Sequence, residues 1–188
     1  QGMQDSILKG LWVVHQNFLP KGFLGALDEN PYSLDIEKAK ALMAESGLTL
    51  PIEIGFTVRN NQERMDIATS IQNTFAQIGI NLVLDVGDGK QGLETYRGRK
   101  HDITLQTWGP DYPDPHTNAS TFAMNPDNSD EANNTGYLAW RTTWDPGAEL
   151  NAETAAAVEE KDSAKRVEMY GDIQRKVRDH SAFVLMFQ

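Results

Sequence analysis

The chain contains no cysteine, which excludes disulfides, thiol nucleophiles and zinc–thiolate centres. It has no run approaching the ~18 apolar residues that a membrane-crossing helix needs, and no stretch reads as a signal peptide. Basic residues are scarce: 17 Lys and Arg stand against 27 Asp and Glu, a formal net charge of −10. Nucleic-acid binders need clustered cations to displace counterions, so that partner class is excluded. A Walker-type glycine loop, a G-x-S-x-G elbow and an H-E-x-x-H pair are all missing, so three common catalytic signatures drop out together. Gln1-Gly2-Met3 reads as the remnant of a cleaved affinity tag and is set aside from the fold.

What remains is an ordinary globular composition, 39% hydrophobic and 23% charged over 188 residues. Residues 4–188 suit a single α/β lobe with a sizeable core. A short apolar stretch at 5–14 predicts a helix, and Gln16 to Tyr32, with Pro20, Gly22, Gly25 and Pro31, predicts an irregular loop. Asp35 is a good N-cap for a helix ending at Gly47. Ile52, Ile54, Phe56 and Val58 alternate with Glu53, Gly55 and Thr57, a clean strand. Arg59-Asn60-Asn61 then turns into a helix whose apolar residues are Ile67, Ala68, Ile71, Phe75 and Ile78, with Gly79 at its C′ position, followed by a strand at 80–86. A short helix at Asp88 to Tyr96 and a strand at Asp102 to Thr107 come next. Asn125 to Asn134 reads as exposed loop, 148–160 and 163–178 as helices, the second capped by Asp162, and Ala182 to Phe187 as a last strand. The β-α-β-α-β order predicts a mostly parallel sheet flanked by helices on both faces. Ile54, Phe56, Ile71, Phe75, Leu82, Leu84, Ile103, Leu105, Ile173 and Val184 are its expected core.

The stretch His101 to Phe122 carries the candidate chemistry. The strand breaks at Gly109-Pro110 into a loop holding Trp108, Asp111, Tyr112 and Asp114, stiffened by Pro110, Pro113 and Pro115. An aromatic and acidic loop at a strand's carboxyl end is where α/β sheets place ligands; an exposed proline-rich connection fits the same residues. Asp111 and Asp114 can serve as catalytic carboxylates, as metal ligands with His116 and perhaps His101, or as one anion facing a ligand ammonium. Trp108 offers a flat apolar wall with an indole N–H, or a ring packed beneath its own loop. Asp114, between two prolines, suits bracing of the loop better than ligand contact. Arg59 falls just past a strand's carboxyl end, where its fork could take a carboxylate or simply sit in water. Phe18 and Phe23 either face ligand or pin their long loop to the core.

Four segments together carry a family resemblance. W-x-x-D-Y-x-D-P after H-D-I-x-L is similar to the peptide-binding, family 5 solute-binding proteins of bacterial ABC transporters. YSLDIEKAKALMAESG, RMDIATSIQNTFAQIGINLVL and DSAKRVEMYGDIQ resemble further segments of that family, in order. The family usually has proline after the capping aspartate, where this chain has Ile36. The resemblance implies the second lobe of a two-lobed periplasmic-binding-protein-like fold, with Asp111 holding a peptide's α-amino group. Trp108, Tyr112 and Arg59 join it as expected ligand contacts, with no catalytic residue, cofactor or metal. The implied partners are a peptide or other small solute, a missing first lobe of the same protein and ABC permease subunits, in a periplasmic or extracytoplasmic setting. Two rival readings stay open: a metal-dependent hydrolase using Asp111, Asp114 and His116, and a lobe that senses ligand without transporting it.

Overall fold

The computed structural model describes residues 2–188. Along the chain run α1 (Gly2–Ser6), α2 (Ile36–Glu45), β1 (Ile52–Arg59), α3 (Gln62–Ala76), β2 (Ile80–Gly87), α4 (Gly89–Arg97) and β3 (Ile103–Thr104). Then come α5 (Pro115–Ala123), α6 (Leu138–Arg141), α7 (Gly147–Glu159) and α8 (Ser163–His180). Contacts group these into two compact units, one made of the segment ending at Trp12 with Tyr32–Thr107, the other of Val13–Pro31 with Trp108–Gln188.

The first unit is built on a parallel sheet in the order β2-β1-β3. Alternation along β1 sends Ile52, Ile54, Phe56 and Val58 to one face. There they join Ile80, Leu82, Leu84, Ile103 and Leu105 against Met43 of α2 and Met65, Ala68, Ile71 and Phe75 of α3. The two crossovers run in opposite directions across the sheet, so right-handed connections put α3 and α4 on opposite faces. The α4 face is thinner. Thr57 is buried there and the Gly55 N–H donates to Asp102 Oδ2 at 2.9 Å, yet Val83 stays 53% exposed. Side chains cap the helix starts: Asp35, as anticipated, accepts from the Lys38 N–H, and Asn61 accepts from that of Arg64. Gly79 turns α3 into β2 at φ +82, where an added Cβ would stand 2.9 Å from Leu50 Cδ1.

The second unit is helical. α5, α7 and α8 pack around Phe122, Leu150, Ala157, Tyr170, Ile173 and Val177, all buried. The irregular stretch 13–31 lies on them through polar side chains: Asn118 donates to the Phe18 carbonyl, and Gln174 to that of Gly25 at 2.7 Å. Glu29 accepts from Arg175 and Arg178.

Four expectations need correction. The expected terminal strand is a lone antiparallel bridge, Val14 with Phe187, because only residues 13–15 are available to pair with 186–188. Val184 is accordingly 84% exposed and not core. The predicted helix at 5–14 stops at Ser6, since Lys9 and Gly10 take positive φ. The strand at 102–107 shrinks to Ile103–Thr104, although the Leu105 N–H still donates to the Thr57 carbonyl at 3.2 Å. Phe56→Ala, at a side chain only 1% exposed, is expected to cost about 3–5 kcal/mol. Val184→Ala should change stability by no more than about 0.5 kcal/mol. Chemical denaturation of both variants checks the pair.

Candidate functional site

Trp108 opens the loop half-buried, its ring edge-on to Phe122 of α5 at 5.7 Å and 81°. Phe122 in turn stacks on Phe18 at 5.8 Å and meets Phe183 at 5.1 Å. Phe18, 4% exposed, therefore pins its own loop instead of facing outward. The indole is anchored at this contact and only partly buried. Its N–H has no partner among the described residues.

From there the chain turns outward. Gly109 through Pro113 are exposed, Tyr112 to 51%. The Asp111 main-chain N–H donates to Thr117 Oγ1 at 3.3 Å. The Asp111 carboxylate makes no hydrogen bond or ion pair among the described residues.

Asp114 is the opposite case. It caps α5, its Oδ1 accepting the His116 N–H at 2.8 Å, with Pro115 at the first helical position. It also takes the Arg166 fork on both oxygens, Nη1 to Oδ2 and Nη2 to Oδ1, each at 2.9 Å. Arg166 is held in place by the Ala157 carbonyl at 3.1 Å and by the Tyr170 ring, 5.2 Å from its centroid. The Tyr170 hydroxyl lies 3.3 Å from His116 Nδ1. The guanidinium beside Asp114 lowers its carboxyl pKa below the ordinary value, while burial lowers that of the His116 imidazole. With both oxygens of Asp114 occupied, the trio Asp111, Asp114 and His116 lacks a free second acid. No group of three or more His, Asp or Glu able to hold a metal occurs among the described residues.

Arg59 ends β1 exposed, in the other unit from the loop. Its guanidinium lies over the start of α4, where a Cβ on Gly89 would come within 3.0 Å of Cζ. The structure thus brings Trp108, Asp111 and Tyr112 together on one loop and leaves Arg59 on a separate unit. Beside Arg59, Arg64 of α3 binds the Leu105 carbonyl and Thr107 Oγ1, fixing the exit from β3. Burial first, then the Arg59 charge, lowers its pKa. His101 packs edge-on to Tyr96 at 5.2 Å in the same unit. No local sequence pattern singles out Arg64 or Arg166. Arg166 acts on a residue 52 positions away, a pairing no local pattern encodes. An Asp-Pro pair opening α5 was the available signal for that helix, masked by the prolines around it.

The loop carrying Trp108, Asp111 and Tyr112 leads into the capped start of α5. The family profile "Bacterial extracellular solute-binding proteins, family 5 Middle" matches residues 1–130, and the chain belongs to that family. It is 27% identical over 199 residues to the "Dipeptide-binding protein" of Escherichia coli K12, covering 97% of this chain and 35% of that protein. It is 26% identical over 194 residues to the "Probable D,D-dipeptide-binding periplasmic protein" of the same organism, covering 100% of this chain and 35% of that protein. The chain thus spans about a third of those relatives' length. In fold it matches a periplasmic binding protein of Helicobacter pylori in complex with peptide STSA, at TM-score 0.82 and 18% identity, covering 100% of this chain and 36% of that one. A dipeptide-binding protein of Pseudoalteromonas in complex with Met-Leu gives 0.83 and 18%, covering 99% and 36%.

Asp114→Asn keeps a cap acceptor and removes the charge that Arg166 holds. Because folding lowers this carboxyl's pKa, the pair contributes above the unfolded value near ~3.9 and fades as pH falls through the lower folded one. Wild type is expected to exceed Asp114→Asn in stability by about 1 kcal/mol near neutrality, a modest figure because the pair is partly exposed. That gap should shrink below about pH 4. Urea titrations of both proteins across this range check it, and a gap widening on acidification contradicts it.

Proposed function

We propose that this chain is the ligand-gripping second lobe of a peptide-type solute-binding protein, which captures a peptide or similar solute and delivers it to an ABC permease. The observation that carries the reading is the free Asp111 carboxylate on a proline-stiffened loop beside an anchored, partly open Trp108, in a chain of this family. A carboxylate with no protein partner suits a ligand ammonium, and an indole face suits a peptide plane or side chain. Tyr112, half-exposed on the same loop, supplies a second aromatic contact. Relatives named for dipeptides support peptide as the solute class. On the other unit we propose, separately, that Arg59 takes an anionic group of a ligand.

Under this reading the chain binds and does no chemistry. The hydrolase alternative needs Asp114 as a second free acid, and Arg166 already occupies it. The parent resides in the periplasm, and the rest of it supplies the first lobe. Among the described residues no helix is long and apolar enough to cross a membrane.

Asp111→Asn keeps the shape and removes the charge. A hydrogen bond to a charged group contributes roughly 1.5–3 kcal/mol, so peptide affinity of the full-length parent is expected to fall about 10- to 100-fold. Its melting temperature should barely move, because Asp111 is exposed and unpaired. Calorimetry with the parent's copurified solute, identified by mass spectrometry, measures the affinity loss. Unchanged affinity would sink the ammonium role.

A further inference from the structure

The geometry points to Arg166 as the positioning residue of the binding loop: by gripping Asp114 it sets where the Asp111 carboxylate stands. This rests on the reading of Asp111 given above. Arg166 is fixed by contacts outside the loop. Its Nε–H goes to the Ala157 carbonyl at the end of α7, its face lies on Tyr170 of α8, and its side chain is only 15% exposed. The two remaining fork positions meet both oxygens of Asp114, so α5 begins where α7 and α8 dictate.

The link to Asp111 runs through the first turn of that helix. The Thr117 N–H donates to the Asp114 carbonyl at 3.1 Å, and the buried Thr117 hydroxyl accepts the Asp111 N–H at 3.3 Å. The Asp114 N–H closes the loop from the other side onto the Tyr112 carbonyl at 2.9 Å. Asp111 is thus located by its own N–H on Thr117 and through its neighbour Tyr112, and both contacts depend on Asp114. A lysine could reach one oxygen of Asp114 but could not also hold the second oxygen and the Ala157 carbonyl from a planar fork.

The test uses this chain with Arg166→Met and Arg166→Lys, the second retaining charge should the first fail to fold. Solvent exchange of the Asp111 amide, followed by NMR, reads the loop without any ligand. That of Val177, buried in α8, reads the unit as a whole. Arg166→Met is expected to speed Asp111 exchange roughly tenfold with Val177 unchanged, and Arg166→Lys to fall between. The probes are L-alanyl-L-alanine and its N-acetyl derivative, titrated at millimolar concentration. Arg166→Met should weaken the free-amine dipeptide roughly tenfold and leave the acetylated one unaffected. Unchanged Asp111 exchange overturns the proposal. So does a parallel rise at Asp111 and Val177, which marks a general brace of the unit. If the loop loosens as expected while wild type does not distinguish the two dipeptides, Arg166 stands as the loop's positioner and the ammonium reading fails instead.

Discussion

The pairing of Asp114 with Arg166 is the interaction on which the candidate site depends. One carboxylate closes the N-terminus of α5 and accepts a guanidinium fork. Capping is a local device, satisfied by a neighbour two residues on; the ion pair is a long-range one, joining segments that are distant in sequence. Together they convert a proline-rich stretch, stiff but otherwise undirected, into a loop with a defined exit. Beneath it the aromatic contacts of Phe122 with Phe18, Phe183 and Trp108 supply the apolar footing.

Two acids three positions apart therefore have opposite fates. The Asp114 charge is paired inside the protein, whereas the Asp111 carboxylate has no partner among the described residues. In water an exposed carboxylate gains little from a cation, and it gains more as surrounding water is excluded. The loop's rigidity matters for the same reason: a preplaced anion avoids the entropic cost of being ordered on binding. A cleft of about 370 Å³ beside Trp144, Pro146, Leu150 and Lys176 offers the contrast. Its lysine is already engaged by Glu153, and Asp145 accepts the Gly147 N–H. Its polar groups are largely committed within the protein.

Legibility from sequence followed the range of the interactions. Alternation in β1 and the caps Asp35 and Asp162 are local signals, and each element begins within a residue or two of its expected start. The sheet followed from the order of those elements. α5 is hard to read in the sequence because Pro110 and Pro113 make the Asp114-Pro115 start look like more loop. The terminal apolar run misled because a strand needs a neighbour, and residues 13–15 provide only a bridge. At the site, Trp108, Asp111 and Tyr112 were visible as residue types on a stiff loop. The brace on Asp114 was anticipated, but its partner was not, since nothing near position 166 marks an arginine that reaches across the unit.

The central claim is that solute is met by the Trp108–Tyr112 loop. Tryptophan reports on it directly, because the chain has four indoles, and only that of Trp108 sits on the loop. Titrating ¹⁵N-tryptophan-labelled protein with L-alanyl-L-alanine should move the Trp108 indole N–H resonance and leave those of Trp12, Trp140 and Trp144 in place. Movement of Trp144 with Trp108 stationary would place binding at the cleft beside α7 and contradict the account.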